Sequence, residues 1–220
     1  MSFQEWIADF SQYAPGFLKA AWIVLLLTVV AIAISWVCGL LAALGKASRF
    51  MLARQVSTFY VWFIRGTPTL IQIFIVYFGL PQFGLRLSPF VAGVIALGVN
   101  SGAYVAEIIR SGLSAIPKGQ MESSLALGMS RFETMTRIIL PQVFRIIIPS
   151  LTNEAITSLK NTSLLSAITV VELTLYAQMI IASTFRPFDF YIASAVIYLV
   201  MTTVLSQLAA HLERRYSKLY

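Results

Sequence analysis

The sequence predicts an all-α membrane protein with about five transmembrane helices, and three observations support that prediction. Hydrophobic residues make up 58% of the 220 residues and charged residues only 11%, whereas soluble domains have about 25% charged residues. Several apolar runs are long enough to cross a bilayer, which needs roughly 20 helical residues. Basic residues collect at one set of run ends. The surplus apolar surface is therefore expected to face membrane lipid.

Five apolar runs give the predicted spans. They cover residues 20–44, 57–80, 88–109, 138–170 and 190–210. The first contains no charged residue and is the clearest span. The second is interrupted by Arg65-Gly66-Thr67-Pro68, which can break a helix, so its first part is expected at the membrane interface. The fourth is long and contains Pro141 and Pro149.

The segment 1–19 before the first span has an amphipathic pattern. Phe3, Trp6, Ile7 and Phe10 recur at i, i+3, i+4 and i+7, which predicts a short helix lying in the interface. The segment lacks a basic n-region and the next apolar run is too long for an h-region, so we expect a retained anchor. Cys38 lies inside the first run, and the sequence predicts neither a disulfide nor a thiolate metal site.

The distribution of Lys and Arg predicts the orientation. One set of span ends holds ten basic residues: Lys46, Arg49, Arg54, Arg110, Lys118, Arg131, Arg137, Arg214, Arg215 and Lys218. The opposite set holds Lys19, Arg86 and Arg186. The N-terminus is therefore expected outside, the C-terminus in the cytoplasm, and residues 111–137 in the largest cytoplasmic loop. Because the net charge of +7 is scattered rather than gathered in one patch, no nucleic-acid partner is expected. Residues 1–220 show no internal repeat and are interpreted as one domain.

The cytoplasmic loop has a helical pattern with one interruption. Met121, Leu125, Met129, Phe132 and Met135 follow spacings of three and four, which predicts one apolar helical face. Gly128 would cost about 1 kcal/mol in a continuous helix, so it predicts a turn between two short helices or close approach of another backbone. An amphipathic helix resting on lipid headgroups is the alternative that periodicity alone leaves open.

A longer spacing in this loop points to a family. Glu122-Ser123-Ser124 is followed by three residues and Gly128, then nine residues and Ile138-Ile139-Leu140-Pro141. This resembles the EAA loop of the membrane subunits of bacterial ABC importers, with two serines in place of the alanines. The resemblance implies a coupling helix that docks in a cleft of the ATPase subunit. Its contact residues would be Glu122, Ser123, Ser124, Leu125, Gly128, Met129 and Phe132.

The energy source is expected to lie in another polypeptide. The sequence has no G-x-x-x-x-G-K-[ST] phosphate-binding loop. The resemblance then implies that ATP and Mg²⁺ are bound by the partner ATPase, that this chain binds no cofactor, and that it is not itself an enzyme.

A second set of motifs narrows the family. The set comprises Arg65-Gly66-Thr67-Pro68 with Gln72, Tyr77-Phe78-Gly79-Leu80-Pro81, Asn100-Ser101-Gly102-Ala103-Tyr104 with Ala106-Glu107, and Lys160-Asn161-Thr162-Ser163-Leu164. In this order it resembles the polar amino acid permeases, from about residue 18 to the C-terminus. The resemblance implies an inner-membrane importer subunit of type I ABC architecture. Its partners would be a second permease subunit, identical or homologous, two ATPase subunits, and a periplasmic or lipid-anchored solute-binding protein.

Polar residues inside the apolar runs are the candidate substrate contacts: Gln72, Asn100, Glu107, Glu154, Asn161 and Thr162. An amino acid in low dielectric needs an acid for its ammonium group and amide or hydroxyl donors for its carboxylate. Alternatives stay open, because Gln72 and Asn100 could equally join helices and Glu154 could pair with Arg145 or Lys160. Arg65 is interpreted as architecture.

Glu154 favours a basic or neutral polar amino acid such as arginine, lysine, histidine or glutamine. In similar permeases the position of Asn161 is often aspartate, so one negative charge is absent here. Cystine or an acidic amino acid is the alternative substrate. The competing functions are a passive channel or ion-coupled carrier, with Glu107 and Glu154 as ion sites, and a membrane scaffold that moves no solute. His211, in a charged tail, is expected to be solvated rather than a catalytic base.

Overall fold

A computed structural model describes residues 11–217, and helices dominate this part of the chain. The helices are α1 (Ala14–Ala47), α2 (Met51–Gly66), α3 (Thr69–Phe74), α4 (Pro89–Ser114), α5 (Lys118–Ala126), α6 (Arg131–Glu133), α7 (Leu140–Asn161), α8 (Leu173–Thr184) and α9 (Pro187–Ser217). Shorter π and 3₁₀ segments join some of them: Ile75–Gly79, Leu80–Phe83, Thr134–Ile139 and Thr162–Ile168. Residues 11–217 contain no β-strand. The predicted amphipathic helix with Phe3, Trp6, Ile7 and Phe10 lies outside the described residues.

The described helices provide three to five membrane spans. By length and composition α1, α4 and α9 can each cross a bilayer alone. Two further spans arise if each bent pair counts as one: Met51–Gly66 with Thr69–Phe83, bent by 112°, and Arg131–Ile168 with Leu173–Thr184, bent by 46°. The predicted all-helical membrane class is confirmed, and the predicted number of five is the upper count.

The break in the second run lies where the sequence predicts it. Helix α2 ends at Gly66, and Thr67 is extended, with φ −121° and ψ 149°. Pro68 disfavours the helical conformation of the residue before it and offers no N–H, so the chain changes direction there.

The fourth predicted run differs from the structure at its C-terminal side. Helix α7 passes through Pro149 without ending, tightens to a 3₁₀ segment after Asn161, and stops at Thr169, whose φ is 66°. Helix α8, which the sequence did not predict, then follows. It has only 12 residues, too few to be recognised as a span.

The centre of the fold is the close packing of α1 against α4. Three glycines permit it. A Cβ on Gly39 would lie 2.5 Å from Val105 Cγ1, and one on Gly98 would lie 2.5 Å from Ile34 Cγ2. A Cβ on Gly102 would lie 2.6 Å from Cys38 Cβ. Small residues therefore let these backbones approach closely, as at many interfaces between membrane helices.

A second cluster joins the N-terminal part of α1 to α8 and α9. Phe17, Leu173 and Phe190 are buried in it. The ring of Phe17 meets that of Tyr176 edge to face, with centroids 5.0 Å apart. This cluster holds α8 between α1 and α9, so the unpredicted helix is an integral part of the bundle.

We expect Gly39→Ala to lower stability because the added methyl must displace Val105 and meets the backbone oxygen of Gly102 at 3.0 Å. Overpacking of this kind costs about 1–3 kcal/mol. The measurement is the apparent melting temperature of the detergent-solubilised chain. Gly119→Ala is the matched control, because Gly119 is also helical but nothing lies within 4 Å of its Cβ position. Equal melting temperatures for the two variants would contradict the α1–α4 packing.

Candidate functional site

The loop between α4 and α7 folds as two short helices joined by a glycine turn. Helix α5 ends at Ala126, and Gly128 has φ +84°. The turn is closed by hydrogen bonds from Gly128 N to Leu125 O, 3.0 Å, and from Met129 N to Ser124 O, 3.1 Å. Nothing lies within 4 Å of a Cβ on Gly128, so its backbone conformation is what requires glycine. The predicted turn is confirmed.

The turn also divides the apolar residues of the loop between two sides. Met121 and Met135 pack against the cluster of Ile139, Val143 and Ile147. In contrast, Leu127 is 83% and Phe132 77% exposed. Among the residues predicted to share one apolar face, Met121 and Met135 pack inward while Phe132 is exposed, so the prediction of a single face is wrong.

The serines of the Glu122-Ser123-Ser124 motif occupy different environments. Ser124 is buried, and its hydroxyl donates to Gln120 O at 2.7 Å. A small side chain is therefore required at this position. Glu122 and Ser123 are exposed. The motif thus fixes α5 through Ser124 and presents Glu122 outward.

Helix α6 begins with a capping box. Ser130 Oγ accepts from Glu133 N at 3.2 Å, and Glu133 Oε2 accepts from Ser130 N at 3.0 Å. The hydrogen bonds from the backbone N–H and the hydroxyl of Ser130 lower the pKa of the Glu133 carboxyl. Because this pKa is lowered, the stabilisation by the charged cap is present at neutral pH and is lost as the pH falls through it. Exposed Phe132 is therefore carried on a defined turn.

Gln72 and Asn100 connect α4 to the break between α2 and α3. Gln72 Nε2 donates to Ile64 O at 2.8 Å and to Thr67 Oγ1 at 2.8 Å. Gln72 Oε1 accepts from Asn100 Nδ2 at 2.9 Å. Both amide side chains are buried. These candidate residues therefore form an interhelical hydrogen bond, one of the two roles that the sequence left open.

Glu107 lies in an ionic cluster at the end of α4 nearest the loop. Its carboxylate pairs with Lys46, accepts from Arg110 Nε at 2.9 Å and lies 3.7 Å from Arg65 Nη1. The Arg65 guanidinium carbon also lies 5.5 Å from the ring centroid of Tyr104. Glu107 thus has its own cationic partners within this chain.

Glu154 and Ser158 line a narrow crevice between α1, α4 and α7, together with Ser35 and Ser101. Ser101 faces Glu154 across this crevice. Among the described residues, neither Arg145 nor Lys160 forms an ion pair with Glu154. Ser158 Oγ is buried and finds no hydrogen-bond partner within the described part of the chain. The crevice therefore contains one carboxylate and one unused hydroxyl a helical turn apart.

Asn161 and Thr162 lie at the junction of α7 and the 3₁₀ segment. Asn161 is half-buried at the end of α7. Thr162 is fully buried, and its hydroxyl donates to Leu159 O at 2.7 Å and lies 3.3 Å from Tyr198 Oη. Thr162 therefore joins α7 to α9, while Asn161 keeps partial exposure.

The structure adds Glu172, which the sequence analysis missed. It is fully buried and caps α8, accepting from Thr174 N at 2.8 Å and Leu175 N at 3.0 Å. Tyr198 Oη also donates to Glu172 Oε2 at 2.7 Å. One signal was available, because Glu172 is the only charged residue between Lys160 and Arg186. A lone intramembrane carboxylate indicates a specific partner.

Comparison with known proteins identifies the family. Residues 35–218 match the family described as binding-protein-dependent transport system inner membrane component. The chain belongs to this family. It is 42% identical over 203 residues to the glutamine transport system permease protein GlnP of Escherichia coli strain K12, covering 91% of this chain and 93% of that protein. It is also 40% identical over 212 residues to the probable glutamine ABC transporter permease protein GlnM of Bacillus subtilis strain 168, covering 96% of both.

A comparison with solved structures supports the same family. A chain in the crystal structure of an amino acid ABC transporter with histidines superposes with a TM-score of 0.90 at 42% identity, covering 94% of this chain and 97% of that one. This permease is therefore an inner-membrane subunit of an amino acid ABC importer. ATP hydrolysis belongs to a separate subunit, and membership of the family implies ATPase and binding-protein partners and a dimeric arrangement.

Glu172→Ala in this permease should lower the apparent melting temperature, because two backbone N–H groups and the Tyr198 hydroxyl lose a buried acceptor. Each unsatisfied group costs about 1–3 kcal/mol. Glu172→Gln is the control, since it keeps one side-chain acceptor at nearly the same volume. Its melting temperature should lie between those of the parent and of Glu172→Ala. A Glu172→Ala variant as stable as the parent would show that the network contributes nothing. Adding Tyr198→Phe to Glu172→Ala tests the coupling, because the second change should then cost less than it does alone.

Proposed function

We propose that this permease imports a basic or neutral polar amino acid and that Glu154 contacts the solute. The single observation that supports this most is the crevice beside α4. It holds a half-buried carboxylate, Glu154, and the buried hydroxyl of Ser158, which has no hydrogen-bond partner among the described residues. A buried polar group without a partner is rare and points to an occupant absent from the chain itself. The crevice has a volume of only about 10 Å³, so the ammonium group and a polar side chain of the solute would contact Glu154 and Ser158 once α1, α4 and α7 move apart during transport.

The remaining candidate residues take distinct roles in this proposal. Asn161, half-buried at the end of α7, reaches the solute from the same helix as Glu154. Gln72, Asn100 and Thr162 shape the walls through the hydrogen bonds that occupy their side chains. Glu107 is surrounded by Lys46, Arg65 and Arg110, at the end of α4 nearest the cytoplasmic loop. It is assigned no direct contact with the solute.

The carboxylate of Glu154 argues for the class of substrate. The side-chain carboxylate of an acidic amino acid would meet like charge in low dielectric. Glutamine fits best, because its side chain is neutral and the two relatives compared above are named for glutamine. Arginine, lysine and histidine belong to the same favoured class. Asn161 in place of aspartate supports a neutral side chain, since one fewer negative charge is available for a cation.

The loop is proposed to transmit ATPase closure to the membrane helices. Glu122, Leu127 and Phe132 are exposed on the loop. Exposed apolar side chains next to charged ones are typical of protein contact sites. Met121 and Met135 anchor the same loop to the core of α7. A force on the exposed side would therefore be carried to α7, which also holds Glu154. The solute path is proposed to form between this permease and a second copy or close homologue.

Leu127→Cys should form crosslinks to the ATPase subunit when the assembled importer is treated with a thiol reagent. The parent for this test carries Cys38→Ala, so that no other thiol of this chain reacts. Phe83→Cys is the matched control, because both positions are 83% exposed but Phe83 lies between α3 and α4, away from the loop. The readout is a shifted band containing both subunits. Crosslinks from neither position, or from both equally, would contradict docking through this loop.

Glu154→Gln should lower amino acid uptake into proteoliposomes containing the whole importer. Losing a charge-assisted contact costs about 1.5–3 kcal/mol, which corresponds to roughly ten- to hundredfold. Asn153→Ala is the control on the same helix, since Asn153 is exposed and does not line the crevice. Copurification of the ATPase checks that assembly is intact. Uptake by Glu154→Gln equal to that of Asn153→Ala would place the solute elsewhere.

A further inference from the structure

A cationic pocket opens at the end of the bundle nearest the coupling loop. Helix α1 contributes Lys46, α2 contributes Thr58, Trp62 and Arg65, and α4 contributes Tyr104 and Glu107. The crevice with Glu154 has a different lining, so the two sites are separate.

Positive charge exceeds negative charge in and beside this pocket. Lys46, Arg65 and Arg110 surround the carboxylate of Glu107. Three cations around one anion leave a net charge of +2. One carboxylate therefore does not neutralise the cluster, and an added anion would be attracted to it.

Arg65 is the cation best placed to receive a further anion. The Glu107 oxygen that it approaches at 3.7 Å already accepts from Arg110 at 2.9 Å. At 3.7 Å the contact between Arg65 Nη1 and Glu107 Oε2 is too long for a hydrogen bond. The Tyr104 ring lies beneath its guanidinium, 5.5 Å away. The Tyr104 ring thus holds the guanidinium in place while its N–H groups remain available as donors. This planar set of donors matches the oxygen atoms of a phosphate.

The surroundings of the pocket are typical of the lipid headgroup boundary. Helix α2 has 16 residues, fewer than a span needs, and bends by 112° into the next helix. It exposes Phe59 and Trp62, the latter by 68%, together with Arg54. Aromatic and basic side chains on one short helix favour the membrane interface.

We propose that this pocket binds the phosphate of an anionic phospholipid. Arg65 and Lys46 contact the phosphate, and Trp62 with Phe59 contacts the beginning of the acyl chains. Basic pockets between membrane helices are known to suit acidic headgroups. A zwitterionic lipid binds less well, because its own cation meets the net positive charge of the cluster. This site does not depend on which amino acid the importer carries.

The experiment measures lipid binding to the purified full chain by native mass spectrometry, with phosphatidylglycerol and phosphatidylcholine as probes. Phosphatidylglycerol should bind about tenfold or more tightly than phosphatidylcholine. Thr58→Asp adds a negative charge to an exposed position in the lining and should weaken phosphatidylglycerol binding about fivefold or more. Thr58→Asn, of nearly equal size, should leave it unchanged.

A second pair of variants tests the same site if Thr58→Asp does not insert correctly. Arg65→Gln and Arg54→Gln each remove one cation from α2, but only Arg65 lines the pocket. The first should weaken phosphatidylglycerol binding about fivefold or more and the second less than about twofold. If the two variants weakened phosphatidylglycerol binding equally, binding would depend on the general surface charge rather than on this pocket, and the proposal would be overturned.

Two further outcomes would also overturn it. One is equal binding of the two lipids by the parent chain. The other is displacement of phosphatidylglycerol by millimolar glycerol phosphate, which would identify a site for small anions rather than for a lipid.

Discussion

The contact between α1 and α4 is the constraint on which the rest of this permease depends. Gly39, Gly98 and Gly102 let the two backbones approach closely. Three polar features are then built on α4: Asn100 meets Gln72, Ser101 lines the crevice with Glu154, and Glu107 meets Lys46 of α1. A shift of α4 along α1 would separate all three sets of partners at once. Small residues at this interface thus determine the position of functional groups without taking part in their chemistry.

Much of the architecture could be predicted from the sequence because lipid restricts what an apolar run can do. In hydrocarbon a backbone must satisfy its own hydrogen bonds, so runs of about 20 apolar residues become helices. The exceptions to helical structure were also visible, since Gly66-Thr67-Pro68 ends α2 and Gly128 makes the turn in the loop. Both positions carry residues whose backbone preferences act locally, whatever the tertiary packing.

The partners of the polar residues could not be predicted in the same way. A residue such as Asn100 or Glu154 meets whichever helix its side faces, and that depends on the rotation of each helix about its axis. Helix α8 was missed because its 12 residues are too few for a span, although the lone Glu172 preceding it gave a signal. The apolar loop residues were assigned to one face although Gly128 predicted a turn among them, because the sequence does not show in which direction the chain leaves that turn.

The link between Gln72 and Asn100 has a consequence for an importer whose two sides face different solutions. Both side chains are carboxamides, which neither gain nor lose a proton at biological acidity. The hydrogen bond that joins the break between α2 and α3 to α4 is therefore made by groups whose protonation does not change with pH. A cell exposed to acid can protonate carboxylates elsewhere in the complex, yet this joint keeps the same donors and acceptors. Any dependence of transport on pH would therefore arise from ionisable groups elsewhere, not from the hydrogen bond between Gln72 and Asn100.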